Sequence, residues 1–212
     1  MIKDKTTVIL IRHGECDGNV KGMFRGQMDF PLNERGLKQA KEAGDAAKKL
    51  GIDAIYSSPL LRAKQTAQAV AEACGLSVAN CPGVNNISLG SWEGRIKEEI
   101  AKEEPTLWNT WLNAPEYLVF PGMEPLTDVM ARSRAALDEI VKTHRGGTVA
   151  VVSHRTTLKP LVASCLGIPK PWFWKLHFDT ASLTTLLHDE KGYSLLHFNG
   201  TDHLSEYRSE WN

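Results

Sequence analysis

The sequence has no long hydrophobic run. Val8 to Ile11 is too short an apolar stretch for a secretion signal or a membrane span, and no other stretch is long enough either. Neither sign of charge is in excess: 25 Lys and Arg balance 25 Asp and Glu, so there is no global attraction to nucleic acid or to an acidic membrane surface. Any affinity for an anion must come from a local cluster. The four cysteines, Cys16, Cys74, Cys81 and Cys165, are scattered without CxxC spacing. They read as free thiols in a reducing compartment, which makes the cytoplasm the expected location. No histidine or carboxylate cluster has metal-ligand spacing, so neither a metal nor another cofactor is expected. Repeats, low-complexity segments and linkers are also missing. At 212 residues the chain is expected to be one domain, residues 1–212.

What is there alternates between strand and helix signals. This predicts an α/β fold: a three-layer sandwich with a mainly parallel sheet flanked by helices, plus a small cap insertion. Thr7 to Ile11, Asp53 to Ser57 and Thr148 to Ser153 read as buried strands. Asn33 is placed to cap a helix carrying Leu37, Ala40, Ala43, Ala47 and Leu50 at helical spacing. Ser58 and Pro59 read as the cap and first position of the next helix, which ends at Gly75. Residues 80–124 hold much of the aromatic content and read as the cap, with one short helix near Ile96 to Trp111. A second amphipathic helix spans Leu126 to His144, and another spans Thr156 to Leu166, bent at Pro160. Ser182 to Leu187 and Tyr193 to Phe198 form an expected hairpin.

Two strand ends carry chemistry. TVILIRHGE places Arg12 and His13 where a strand gives way to a loop, and TVAVVSHRT places His154 where another gives way to a helix. Arg62 falls in the first turns of the helix after the second strand. Ligands in parallel α/β folds bind at the carboxyl ends of strands, so these four residues should converge. The set suits phosphoryl transfer. Two arginines can bind phosphate oxygens with several hydrogen bonds each. The same positive charges hold a nearby imidazole neutral and nucleophilic. His154 can donate to an equatorial oxygen in the transition state.

RHG, SSPLLRAKQTA and VVSH in this order, together with LGSWEG, PGMEPLTDVMARS and the closing FNGTDHL, resemble the histidine phosphatase superfamily over nearly the whole chain. The resemblance implies a phosphoric monoester hydrolase in which His13 accepts the phosphoryl group while Arg12, Arg62 and His154 form the phosphate pocket. It places Asn19 near the phosphate. It makes Glu15 either a group beside the phosphate or a brace for the loop. The short segment from Arg95 to Met123 resembles the small-phosphatase branch rather than the phosphoglycerate mutases.

Two positions depart from the family pattern. VNNISLGSWEG puts Asn86 where family phosphatases usually carry a glutamate that protonates the leaving oxygen, and an amide delivers no proton. Either Glu93, Glu124 or a water supplies it, or the leaving group needs little help, or turnover is slow. Glu93 is otherwise expected to favour the start of the cap helix. Arg25, in FRGQMD, is expected to bind a second anionic group on the substrate, or else to be a solvated loop residue. His144, His177, His188 and His197 are expected at the surface or in packing roles, and His203 as a brace. The leading expectation is a phosphomonoesterase acting on a small anionic metabolite through a phosphohistidine. The alternatives are a phosphoglycerate mutase and a low-turnover phosphate-binding protein. The expected partner is a small phosphorylated substrate, with no nucleic acid, no membrane, and a homodimer possible.

Overall fold

A computed structural model of the chain describes residues 5–207 and Ser209. In chain order the elements are β1 (Thr6–Arg12), α1 (Asp17–Val20), α2 (Glu34–Lys48), β2 (Ala54–Ser57), α3 (Leu61–Cys74) and β3 (Val78–Asn80). They continue with α4 (Lys97–Glu103), α5 (Pro105–Asn113), α6 (Leu126–Thr143), β4 (Thr148–Ser153), α7 (Arg155–Leu166), β5 (Leu183–Asp189) and β6 (Gly192–Gly200). The six strands form one sheet in the order β3-β2-β4-β1-β5-β6. β3, β2, β4 and β1 run parallel, while β5 and β6 form the antiparallel hairpin at one edge.

The period of two along β1 sorts its side chains between two cores. Val8 and Leu10, with Val149 and Val151 of β4, face a core that includes Leu137 and Ile140 of α6 and Leu158 and Leu161 of α7. Ile9 and Ile11, with Ala150 and Val152, face Ala43 and Ala47 of α2 and Ala63, Ala67 and Val70 of α3. The sheet is thus covered on both faces, as a parallel sheet built of continuous apolar strands requires. Among the described residues no helix is long and apolar enough to cross a membrane.

The structure corrects several local expectations. Leu37 and Leu50 are 51% and 43% exposed, and α2 buries Gly36, Gln39, Ala40, Ala43, Gly44 and Ala47 instead. That small-residue face lets α2 lie against α3: a Cβ on Gly44 would sit 2.7 Å from the Ala69 carbonyl oxygen. The helix after β2 starts at Leu61, after Ser58 and Pro59, and the Ser58 hydroxyl meets His154. β3 is an additional parallel strand, too short and too polar to signal itself in the sequence. Residues 80–124 hold two α-helices rather than one. Pro105 lacks a backbone N–H and restricts the residue before it, so α4 stops at Glu103 and α5 begins at the proline. Pro160 sits inside α7, which runs on through it to Leu166.

Candidate active site

β1 and β4 pair in parallel with Arg12 opposite Ser153, and the His13 N–H donates to the Ser153 carbonyl at 3.0 Å. The two strands therefore end level, and the next residue on each is a histidine. The His13 and His154 rings lie with centroids 5.1 Å apart. β2 lies beside β4, and α3 rises from its end, bringing Arg62 in the first turn to the same place. All four side chains are almost wholly shielded from solvent. His154 is itself the extended residue that starts α7, so this helix presents its N-terminal, positive end to the site.

The hydrogen bonds fix the proton positions. His13 Nδ1 lies 2.6 Å from the Gly14 carbonyl, which can only accept, so Nδ1 carries the proton and Nε2 holds the lone pair. His154 Nε2 lies 2.7 Å from the Ser58 hydroxyl, which donates onward to Asn85 Oδ1 at 3.2 Å. The hydroxyl is then an acceptor for His154, and neutral His154 is the Nε2–H tautomer with a lone pair on Nδ1. Its Nδ1 and Arg62 Nε are buried with no hydrogen-bond partner among the described residues. Buried polar atoms need partners. Donation from His154 to a phosphoryl oxygen requires a second proton on the ring, which a bound dianion would favour.

Both imidazoles are held well below their ordinary pKa. For His13, burial is the main cause, followed by the charges of Arg62, Arg12 and Arg25 and opposed by the Gly14 bond. For His154, burial again leads, then Arg62, His13, Arg25 and Arg12. Desolvation is thus a larger effect than the neighbouring charges expected from the sequence. Arg62 itself is lowered to about 10 by burial and by Arg25, and so stays charged at neutral pH. Backbone carbonyls aim the guanidinium groups. Arg12 donates to Phe178 at 2.7 Å, and Arg62 donates to Met28 at 2.8 Å and Gly26 at 2.9 Å.

Arg25 and Asn86 line the cleft above the two histidines, together with Met23, Phe24, Leu89, Lys97, Trp111, Arg155 and Thr156. Arg25 is half-buried and donates to the carbonyls of Gly18 at 3.0 Å and Met23 at 3.3 Å. Asn86 is bonded at both ends of its amide: Nδ2 donates to Gly26 at 2.8 Å, and Oδ1 accepts from the Thr156 hydroxyl at 2.6 Å. Gly26 is necessarily a glycine, because its φ is +48° and a Cβ there would lie 2.1 Å from Glu93 Oε1.

The two carboxylates considered as substitute acids have other partners. Glu124 is held by both ends of the Arg132 guanidinium, at 2.6 and 3.0 Å. Glu93 accepts the backbone N–H groups of Leu89 at 2.8 Å and Gln27 at 3.0 Å, joining two loops rather than starting the cap helix. Glu15 is taken up by the brace: it accepts from Asn33 and from Arg35, each at 3.0 Å, and so ties the loop after β1 to the start of α2. Asn19 Oδ1 accepts from the Cys16 N–H at 3.1 Å and closes the turn of α1.

Several contributors were invisible in the sequence. Ser58 and Asn85 set the His154 tautomer, and Thr156 orients Asn86. Lys97 and Arg155 add positive charge to the cleft wall. Behind Arg12, Asp179 is buried and accepts from His177 at 2.7 Å, Asn199 at 2.9 Å and Tyr207 at 3.0 Å, while the next residue back, Phe178, holds Arg12. The expected packing role for His177 is thus a polar one. His203 donates to the Ala181 carbonyl at 3.1 Å, and the Ala181 N–H donates to the His13 carbonyl at 3.2 Å, so His203 does brace the loop. Among the described residues no group of three or more His, Cys, Asp or Glu is placed to hold a metal ion.

A doubly covered, mainly parallel sheet with two histidines and two arginines at its strand ends is the architecture of a histidine phosphatase. The chain belongs to the histidine phosphatase superfamily (branch 1), whose family model matches residues 8–201. It is 36% identical over 203 residues to phosphoserine phosphatase 1 of Hydrogenobacter thermophilus, covering 96% of each chain. Among solved structures it superposes on Bacillus stearothermophilus YhfR with a TM-score of 0.90 at 30% identity, covering 94% of this chain and 100% of that one. It also matches a phosphoserine phosphatase mutant from Entamoeba histolytica in complex with phosphoserine, with a TM-score of 0.84 at 29% identity, covering 94% and 99%. The protein is a phosphatase of this superfamily.

Arg25 is expected to act on substrate binding through its charge in the cleft. Arg25→Gln should raise KM about 5-fold for substrates with a second anionic group and little for uncharged esters, an effect of about 1 kcal/mol. Steady-state kinetics on a charged and an uncharged ester check this; equal changes would make Arg25 a bystander.

Proposed function

We propose that this chain, acting as one domain with residues 80–124 as its cap, releases phosphate from a small anionic phosphorylated metabolite through a phosphohistidine on His13, without a metal. The observation that carries the reading is the state of His13: a buried, neutral imidazole with Nδ1–H committed to Gly14 and the Nε2 lone pair left for attack. Arg12 and Arg62 supply positive charge at the same strand ends, where a phosphoryl group bound for in-line attack would place its oxygens. Phosphoserine bound to the relative from Entamoeba histolytica makes small phosphorylated metabolites the natural first panel.

The test is phosphate release from such a panel in the presence of EDTA. Activity should survive exhaustive chelation unchanged. A complete loss that a divalent ion restores would overturn the mechanism. Tight binding of substrates with no turnover would leave a phosphate-binding protein instead.

A further inference from the structure

Resting on the phosphohistidine reading above, we infer that the site is built for phosphate esters of phenols that carry a second anionic group on the ring. Three features of the cleft converge on this class. The first is the lack of a placed proton donor. Asn86, at the mouth of the phosphate pocket, has both ends of its amide hydrogen-bonded, and its neighbour Thr156 donates to it. Glu93 and Glu124 are committed to backbone N–H groups and to Arg132. Among the described residues lining the cleft there is no carboxylate. An alkoxide leaving without a proton is a strong base and leaves slowly; a phenolate is a far weaker base and leaves readily.

The second feature is the wall. Phe24, Leu89 and Trp111 are nearly buried yet line the cleft, and the Phe24 and Trp111 rings meet edge to face at 5.1 Å. An aromatic ring buries well against such a surface. The third is charge. Arg25, Lys97 and Arg155 also line the cleft, beyond the arginines of the phosphate pocket. They suit a carboxylate on the ring.

The step balances without a general acid. His13 Nε2 forms a bond to phosphorus while the phosphorus–oxygen bond to the ring breaks, and the electron pair leaves on the phenolate oxygen. Water then attacks the phosphohistidine. The nitrogen–phosphorus bond breaks, its pair returns to Nε2, and the proton lost by water passes to solvent as phosphate is released.

The experiment compares three phosphate esters on the wild-type protein: 4-carboxyphenyl phosphate, the phosphate of 4-(hydroxymethyl)benzoate, and phenyl phosphate. The first two share charge and ring but differ in leaving-group basicity. A missing general acid typically costs ~10²–10⁴ in rate, so kcat/KM should favour 4-carboxyphenyl phosphate over the benzylic ester by on the order of 100-fold. Lys97→Met and Arg155→Met should each raise KM about 5-fold more for 4-carboxyphenyl phosphate than for phenyl phosphate. A phenolic-to-benzylic ratio below about tenfold would show that a proton is being delivered and would overturn the inference. Equal effects of the two charge variants on both phenyl esters would remove the second anion. Either result leaves the phosphohistidine mechanism standing. That mechanism fails separately, if labelled 4-carboxyphenyl phosphate is turned over without labelling the protein at His13.

Discussion

His13→Ala is expected to lower phosphate release on the order of 10⁴-fold or more, because it removes the proposed nucleophile and not merely a contact. The geometry makes the effect specific. Nε2 of His13 carries the lone pair of a ring whose other nitrogen is held by Gly14. The ring of His154, with its centroid 5.1 Å away, is held through Nε2 by Ser58. The variant should retain its fold, as Arg12 is held by Phe178 and the His13 N–H by Ser153 through backbone atoms that alanine keeps. A rapid quench with labelled substrate should trap an acid-labile, base-stable adduct on the wild type and none on the variant. Labelling that persists in His13→Ala would place the phosphoryl group elsewhere. The same experiment carries a pH signature. Burial and the nearby arginines keep His13 neutral below the ordinary imidazole range, so adduct formation should persist as the pH falls through ~6.5. A group with the usual histidine pKa would lose it there.

The second large effect is a gain. Asn86→Glu should raise the rate of phosphorylation by alkyl esters about 10²-fold, with little change for aryl phosphates, which do not need the proton. At this position a carboxyl would meet opposed influences. The site is nearly buried and its neighbour is the Gly26 carbonyl, which can only accept, so the protonated acid is favoured. Arg62, which donates to the same carbonyl, pulls the other way. The gain should therefore grow as the pH is lowered, as the acidic form fills. A leaving-group series under single-turnover conditions, on wild type and variant, measures this directly. The slope should be steep in the wild type and shallow in Asn86→Glu. A shallow slope in the wild type would mean that a proton already reaches the leaving oxygen. Alanine at Glu93 and at Glu124 would then identify the source.

The sequence by itself determined the layers and which four side chains would meet. Short β-branched runs alternating with helical spacing specify a parallel sheet covered on both faces. A residue that follows such a strand lies at its carboxyl end whatever the rest of the chain does. Arg12, His13, Arg62 and His154 could be assembled from that rule alone, and so could the hairpin of β5 and β6. Tertiary structure decided what depends on register and on approach between distant segments. Ser58 reads locally as a helix cap, but β2 ends level with β4, so its hydroxyl meets His154, 96 positions away in the chain. Leu37 and Leu50 fit the apolar spacing of α2, yet α3 comes too close for large side chains, and alanine and glycine take the buried face. Glu15, Glu93 and Glu124 each carry a charge that could serve catalysis. Which of them is free to do so was settled by Arg35, by two backbone N–H groups and by Arg132, all brought in from other parts of the chain. A residue's chemistry is local and legible in the sequence. Its protonation, orientation and availability are set by whatever the fold packs against it.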